Sequence, residues 1–376
     1  MWKRYGICLA AIACLLSPFP VSAAKPSSVS SLSAVLYEPS SGRFLYEKAA
    51  DVCRPMASTT KLMTALVAAE NLPFDRVVTV PSQAVLVEGS SMGLRGGERL
   101  SVRDLMAGLL LASGNDAANA LALLSCGSLP SFAAQMNRKA ATLGMVNTVF
   151  VTPSGLDEGG HHSTARDMAL LGAAVLQNPQ VAELCASRTA TIHKVEPEQT
   201  LTLQNHNRLL RLYPDTIGLK TGYTVKSGKC LVSAARRDGV TLVVATLNGG
   251  DYWNDHMALY EYGFSVTEAV TPSLPDFPSL AVAGGEEGAV PLTATIPSPV
   301  VLFQSEQVSC RMELPSFVWA PIQKGDVVGK LVYVVGERVI EELDITAAKS
   351  VAARPPQTVF KKWATAVRRL LAEWLR

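Results

Sequence analysis

The sequence predicts an α+β fold, with helices gathered against an antiparallel sheet, followed by a small all-β domain. Three observations carry this expectation. Residues 60–70, 102–111, 116–124 and 165–177 are runs of helical character. Two apolar runs, 228–235 and 241–247, are joined by Arg236-Arg237-Asp238-Gly239 and read as an antiparallel pair. Beyond about residue 270 the texture changes: Pro272, Pro275, Pro278 and Gly284-Gly285 break the chain, and short strands replace helices up to residue 350.

Taken in order, Lys3 and Arg4 precede an apolar stretch at 7–16, and Val21-Ser22-Ala23 offers small residues for cleavage. Residues 1–23 therefore read as a secretory signal, its apolar part too short to span a bilayer. Ala34-Val35-Leu36-Tyr37, Ser40-Ser41-Gly42-Arg43 and Phe44-Leu45-Tyr46 predict a hairpin. Thr164 followed by Asp167 predicts a capping box at the start of the helix from residue 165. The expected organisation is a domain at 24–268, a β-rich domain at 270–350 and a stiff linker at 351–358 around Arg354-Pro355-Pro356. Last comes a helix at 359–376, with Val359, Phe360, Trp363, Val367, Leu370, Leu371 and Trp374 on one face and basic residues opposite. Tryptophans on the apolar face and arginines opposite suit a helix lying in a membrane surface.

Of 376 residues, 48% are hydrophobic, ample for a packed core, and the net charge is +2. Lys3 and Arg4 account for that charge, so the chain from residue 24 is formally neutral. Residues 359–376 carry Lys361, Lys362, Arg368, Arg369 and Arg376 against Glu373, which leaves a mildly acidic body. That asymmetry argues against a nucleic-acid surface and for local attraction at the tail. Five cysteines follow the signal, namely Cys53, Cys126, Cys185, Cys230 and Cys310, with no C-x-x-C pair. A zinc site is not expected, an odd count leaves at least one thiol free, and Cys53 and Cys230 are expected to be buried packing residues.

The chemistry starts from Ser58-Thr59-Thr60-Lys61, which opens an apolar run. Ser58 and Lys61 fall on one helical face within hydrogen-bonding reach, so the lysine amine can act as base for a serine nucleophile. For that, a lysine pKa near 10.4 must drop by roughly 3 units, about 4–5 kcal/mol, through burial and neighbouring positive charge. Lys220 is the candidate second charge. Ser113-Gly114-Asn115 places a hydroxyl and an amide before a helix. Lys220-Thr221-Gly222 suits a strand beside which a substrate backbone lies, its ammonium and hydroxyl facing a carboxylate. Each fragment alone is unremarkable; three in order are not.

Together these motifs resemble the signatures of the penicillin-binding proteins and serine β-lactamases, with Gly114 where the general pattern has aspartate. This variant resembles the low-molecular-mass D-alanyl-D-alanine carboxypeptidases, as do Gly155-Leu156-Asp157, the run His162-Ser163-Thr164-Ala165-Arg166-Asp167, and Asn205-His206-Asn207-Arg208. The resemblance implies the transpeptidase fold of that group and no cofactor or metal. It also implies release of the terminal D-alanine from peptidoglycan stem peptides ending in D-Ala-D-Ala, through an acyl-enzyme on Ser58. Lys61 would take the Ser58 proton, Ser113 would pass one to the leaving amine, and Asn115 would hold the substrate amide. Lys220 and Thr221, with Gly222 allowing close approach, would bind the carboxylate, and the backbone N–H groups of Ser58 and Tyr223 would form the oxyanion hole. β-Lactams would acylate Ser58. Tyr223 stands where some members have histidine. The expected location is the outer face of the cytoplasmic membrane, beside the cell wall.

Gly89-Ser90-Ser91-Met92-Gly93 matches G-x-S-x-G but lacks the following helix, so it reads as a loop. The five histidines lack H-E-x-x-H spacing, and His162 and His206 read as structural hydrogen-bonders. A class A β-lactamase would show Glu-x-x-Leu-Asn between Asn115 and Lys220, and none is present. The remaining alternatives are a D,D-endopeptidase and a non-catalytic cell-wall binding protein on the same scaffold.

Overall fold

The computed structural model describes residues 25–355, except residue 27, and 359–374. The signal reading at 1–23 and linker residues 356–358 lie outside the described residues. The chain forms two compact units that divide between Thr267 and Glu268.

In the first unit, β1 (Ser33–Glu38), buried along its length, pairs antiparallel with β2 (Arg43–Lys48). A 3-10 turn, Ala57–Thr60, runs directly into α1 (Lys61–Asn71), which is buried from Lys61 to Ala68 and so is a core helix. β3 (Val77–Thr79) and β4 (Arg99–Ser101) follow. Ser101 caps α2 (Val102–Leu110), its hydroxyl accepting from Asp104 N. α3 (Asn115–Cys126) stops at Gly127, whose φ of 73° is left-handed. Ser128 caps α4 (Leu129–Thr142). Then come α5 (Ala165–Leu176), α6 (Pro179–Ala186), β5 (Thr189–Glu196), β6 (Glu198–Gln204) and the single turn α7 (Leu209–Leu212). The unit closes with β7 (Thr216–Thr224), β8 (Gly228–Arg237), β9 (Val240–Gly249) and α8 (Tyr252–Val266).

The main sheet has the order β2-β1-β9-β8-β7, which brings the two ends of this unit together and leaves β7 as an edge. Two glycines show how helices cover both faces. A Cβ on Gly172 of α5 would press on Val232 and Val243, and one on Gly263 of α8 on Leu36 and Leu242. Adjacent residues Leu242 and Val243 point to opposite faces, so α5 and α8 pack on opposite sides. A second sheet, β3-β4-β5-β6, gives this unit more strand than the periodicity suggested, and α4, α6 and α8 are additional helices.

Two expectations need correction. The capping box before α5 is half formed. Thr164 Oγ1 accepts from Asp167 N at 3.1 Å, but Asp167 Oδ2 turns to Asn147 N (2.9 Å) and Thr148 Oγ1 (2.7 Å) and pins a distant loop. Cys53 is exposed, because it follows the hairpin in a surface turn, whereas Cys230 is buried; all five described cysteines are free.

The second unit is built of strands between residues 268 and 355. Its larger sheet orders Leu292–Thr293, Arg338–Ala347, Val327–Val335 and Val308–Glu313, over a core that includes Leu280, Val290, Leu331, Tyr333 and Ile345. α9 (Val359–Trp374) follows, with Trp363, Leu370, Leu371 and Trp374 exposed.

Candidate active site

Local structure at the turn before α1 sets the geometry. A 3-10 turn passing into an α-helix puts residues 58 and 61 on one face. Lys61, fully buried, donates from Nζ to Asn115 Oδ1 and to the Ser154 carbonyl, each at 2.7 Å, and lies 2.8 Å from Ser58 Oγ. A neutral amine has two N–H donors and one lone pair. With both donors held by carbonyl oxygens, the lone pair is left for the Ser58 hydroxyl.

Electrostatics favour that neutral form of Lys61. Burial pushes its pKa well below the ordinary lysine value, the charge of Lys220 pushes it further down, and Asp116 offsets only part. The positive end of α1 acts in the same direction. Lys220, 2% exposed, is lowered to about 8 by burial.

The loop between α2 and α3 supplies the next pair. Ser113 is buried with a φ of 60°, and Asn115 begins α3. Asn115 N donates to Ser90 O, and Asn115 Nδ2 donates to Glu88 O, both at 2.7 Å. Asp116, 1% exposed, then accepts from Met92 N (3.1 Å), Leu94 N (2.9 Å) and Ser91 Oγ (2.6 Å). Gly89-Ser90-Ser91-Met92-Gly93 is thus a loop wrapped around a buried carboxylate.

β7 brings the third fragment. Lys220 Nζ donates to Thr221 O at 3.1 Å. A Cβ at Gly222 would stand 2.9 Å from both Ser58 N and Thr59 N, so only glycine lets the strand lie against the turn that carries the serine. Tyr223, next along, is 66% exposed at the rim.

Ser58, Lys61 and Asn115 are joined directly, Lys220 acts on Lys61 through its charge, and Gly222 abuts Ser58. Ser113 sits at the same loop without a bond to them among the described residues. What the sequence did not reveal is the support. Thr64 Oγ1 donates to Pro153 O (2.6 Å), beside the Ser154 contact. His161 Nδ1 accepts from Val151 N (3.0 Å), which places its proton on Nε2, 2.9 Å from Thr60 Oγ1. Thr60 at the end of the 3-10 turn, with Lys61 and Thr64 on α1, thereby ties down the segment 151–154. A carbonyl oxygen carries no side-chain signature, so only Gly155-Leu156-Asp157 nearby hinted at it.

This arrangement, an antiparallel sheet with a serine–lysine pair beside its edge strand, is the architecture of penicillin-binding enzymes. Penicillin-binding protein 5 from Haemophilus influenzae superposes with a TM-score of 0.66 and 28% identity, covering 87% of this chain and 99% of that one. Residues 20–250 match the pattern of the D-alanyl-D-alanine carboxypeptidases, and residues 277–353 that of the penicillin-binding protein 5 C-terminal domain. The chain belongs to the D-alanyl-D-alanine carboxypeptidase family. D-alanyl-D-alanine carboxypeptidase DacF of Bacillus subtilis is 31% identical over 329 residues, 84% of each chain. A D-alanyl-D-alanine endopeptidase of Pseudomonas aeruginosa is 37% identical over 218 residues, 56% of this chain and 70% of its own.

Proposed function

We propose that this chain is a serine carboxypeptidase that releases the terminal D-alanine from peptidoglycan stem peptides, with Ser58 as nucleophile and Lys61 as base. The observation that carries the mechanism is the Lys61 amine, buried and bound by two carbonyl oxygens beside Ser58 Oγ. Ser58 gives its proton to Lys61 Nζ as Oγ attacks the carbonyl of the D-Ala-D-Ala bond. The negative charge that develops on the carbonyl oxygen faces the backbone N–H groups of Ser58 and Tyr223. The proton returns through Ser113 to the leaving nitrogen, D-alanine departs, and water hydrolyses the ester by the reverse route. Lys220 and Thr221 hold the substrate carboxylate, Gly222 gives it room, and Asn115 holds the substrate amide. A β-lactam, which offers a strained amide and a carboxylate, acylates Ser58 in the same way.

The decisive experiment is incubation with a diacyl-L-Lys-D-Ala-D-Ala peptide together with the Ser58→Ala variant. Free D-alanine from the parent and none from the variant supports the reading; D-alanine from both overturns it. Cleavage of a cross-linked peptide dimer instead would assign the endopeptidase activity named for the Pseudomonas relative.

Residues 1–23 suit an export signal, and α9 suits a helix lying on the membrane surface. Trp363, Leu370, Leu371 and Trp374 are exposed on it, and no single described helix is long and apolar enough to cross a membrane. Deleting residues 359–376 is expected to move the protein from sedimenting with anionic lipid vesicles to the supernatant while D-alanine release persists. Unchanged sedimentation would remove the anchor from this reading.

A further inference from the structure

Asn115 takes its position from a loop as well as from α3. Its backbone N–H donates to Ser90 O and its Nδ2 to Glu88 O, each at 2.7 Å, while its Oδ1 accepts from Lys61 Nζ. Two carbonyl oxygens of the 88–91 stretch therefore set how the carboxamide faces the base. That stretch is exposed along its length, so little packing of its own holds it in place. The hold comes from the residues that follow, up to Glu98.

One anchor is Asp116, which binds Met92 N and Leu94 N. The other is an ion pair away from the cleft. Lys194 on β5 is 4% exposed, and Glu98, which leads into β4, is 6% exposed. Lys194 Nζ lies 2.9 Å from Glu98 Oε1 and 2.8 Å from Oε2, and it also donates to Gly93 O at 3.2 Å. An ammonium has three donors, so all three are used, and they join the two ends of residues 93–98. Glu98 Oε2 also accepts from Arg95 N at 3.0 Å, and the Glu98 carbonyl accepts from Val80 N at 2.8 Å. Lys194 stands opposite Leu100 in the β4–β5 register, so the second sheet fixes its place.

Such a pair contributes little net stability. Desolvating both charges costs about what their attraction returns, and apolar side chains of similar size often serve as well. Directed, charge-assisted hydrogen bonds do fix geometry in a way that apolar contacts do not.

We infer that the Lys194–Glu98 pair is a positioning clamp, holding the 88–98 loop so that Glu88 O and Ser90 O orient Asn115 for acylation of Ser58. Neither residue touches the reacting atoms. The inference rests on the Ser58 acyl-enzyme reading above and adds two positioning residues to it.

The test follows acylation by labelled penicillin. Lys194→Met combined with Glu98→Leu replaces the pair with apolar side chains and is expected to melt within about 3 °C of the parent. Its acylation is nevertheless expected to slow at least about tenfold, because small displacements of reacting groups are costly. A merely structural pair would shift melting and leave the rate of the folded protein unchanged. In an Asn115→Ala background the same double exchange should alter the rate by less than about twofold, since the group it positions is gone. Glu98→Gln, nearly isosteric, is a milder second variant. It should slow acylation several-fold and speed hydrogen exchange at the Met92, Leu94 and Arg95 amides while α1 exchanges as in the parent. Parental acylation rates in the folded variants, or an equal further loss in the Asn115→Ala background, overturn the clamp and leave the Ser58 reading standing. Failure of the parent to take up label at Ser58 overturns both.

Discussion

The Ser154 carbonyl accepts a hydrogen bond from Lys61 Nζ at 2.7 Å, so a backbone atom in a loop after α4 fixes the position of the proposed base. The Gly155 position behind it is crowded. Its φ is +84°, and a Cβ there would fall 2.0 Å from Ala57 O. Gly155→Ala must therefore displace the segment that carries Ser154. The expected outcome is a loss of roughly 2–3 kcal/mol in stability from strain and clash. Acylation of Ser58 by labelled penicillin is expected to slow by at least about 100-fold, since positional errors of about 1 Å cost that much. Near-parental acylation in this variant would show that the Ser154 contact does not support the base.

In the proposed mechanism the two lysines set opposite limbs of the pH profile. Lys61 must be neutral to accept the Ser58 proton, so kcat/KM falls as pH drops through its lowered pKa. Lys220 must be charged to hold a carboxylate, and its pKa is lowered to about 8, so kcat/KM also falls as pH rises past about 8. Lys220→Arg, which stays protonated, is expected to lose much of the activity but to remove the alkaline limb. A profile whose alkaline limb is unchanged in that variant would separate Lys220 from carboxylate binding.

His161 links acidity to stability. Burial pushes its pKa from 6.5 down to about 4. The folded value is below the unfolded one, so the unfolded chain holds more protons between pH 6.5 and 4, and stability falls as pH is lowered through that window. The full shift corresponds to roughly 3 kcal/mol at most. Protonation would put a proton on Nδ1 facing Val151 N, the contact that braces the 151–154 segment. Thermal melts from pH 7 to 4 should show this loss, and His161→Asn should show a shallower dependence. Equal slopes would assign the loss to other groups.

Asp116 organises the loop that feeds Asn115. Asp116→Ala removes the acceptor for Met92 N, Leu94 N and Ser91 Oγ at a buried site. Unpaired buried donors cost about 1–3 kcal/mol each, so a total loss of about 3–5 kcal/mol is expected by denaturant unfolding. The Asn115 Nδ2 contact to Glu88 O should loosen with it, raising KM. A loss under about 1 kcal/mol would mean that water replaces the carboxylate.

Much of the fold was legible because it repeats along the chain. The hairpin β1–β2, helices α1, α2, α3 and α5, the β8–β9 pair and the strand-only region after 268 all follow from periodicity and turn residues. α4 and α8 escaped because Ser131, Gln135 and Asn137 in one, and Asn254, Asp255 and His256 in the other, break the apolar pattern. The β5–β6 hairpin alternates threonine with aliphatic residues around Glu196-Pro197-Glu198, a pattern too polar to stand out.

By itself the sequence determined which side chains are proposed to carry the chemistry. Ser58, Lys61, Ser113, Asn115 and Lys220 stand out as candidates by identity and spacing, because side-chain reactivity is local. Only the tertiary structure decided that Lys61 has two carbonyl partners and a neighbouring charge, and that β7 presses on the serine turn at Gly222. Those properties depend on burial, on backbone atoms and on distances between segments far apart in the chain. They exist only once the chain is packed.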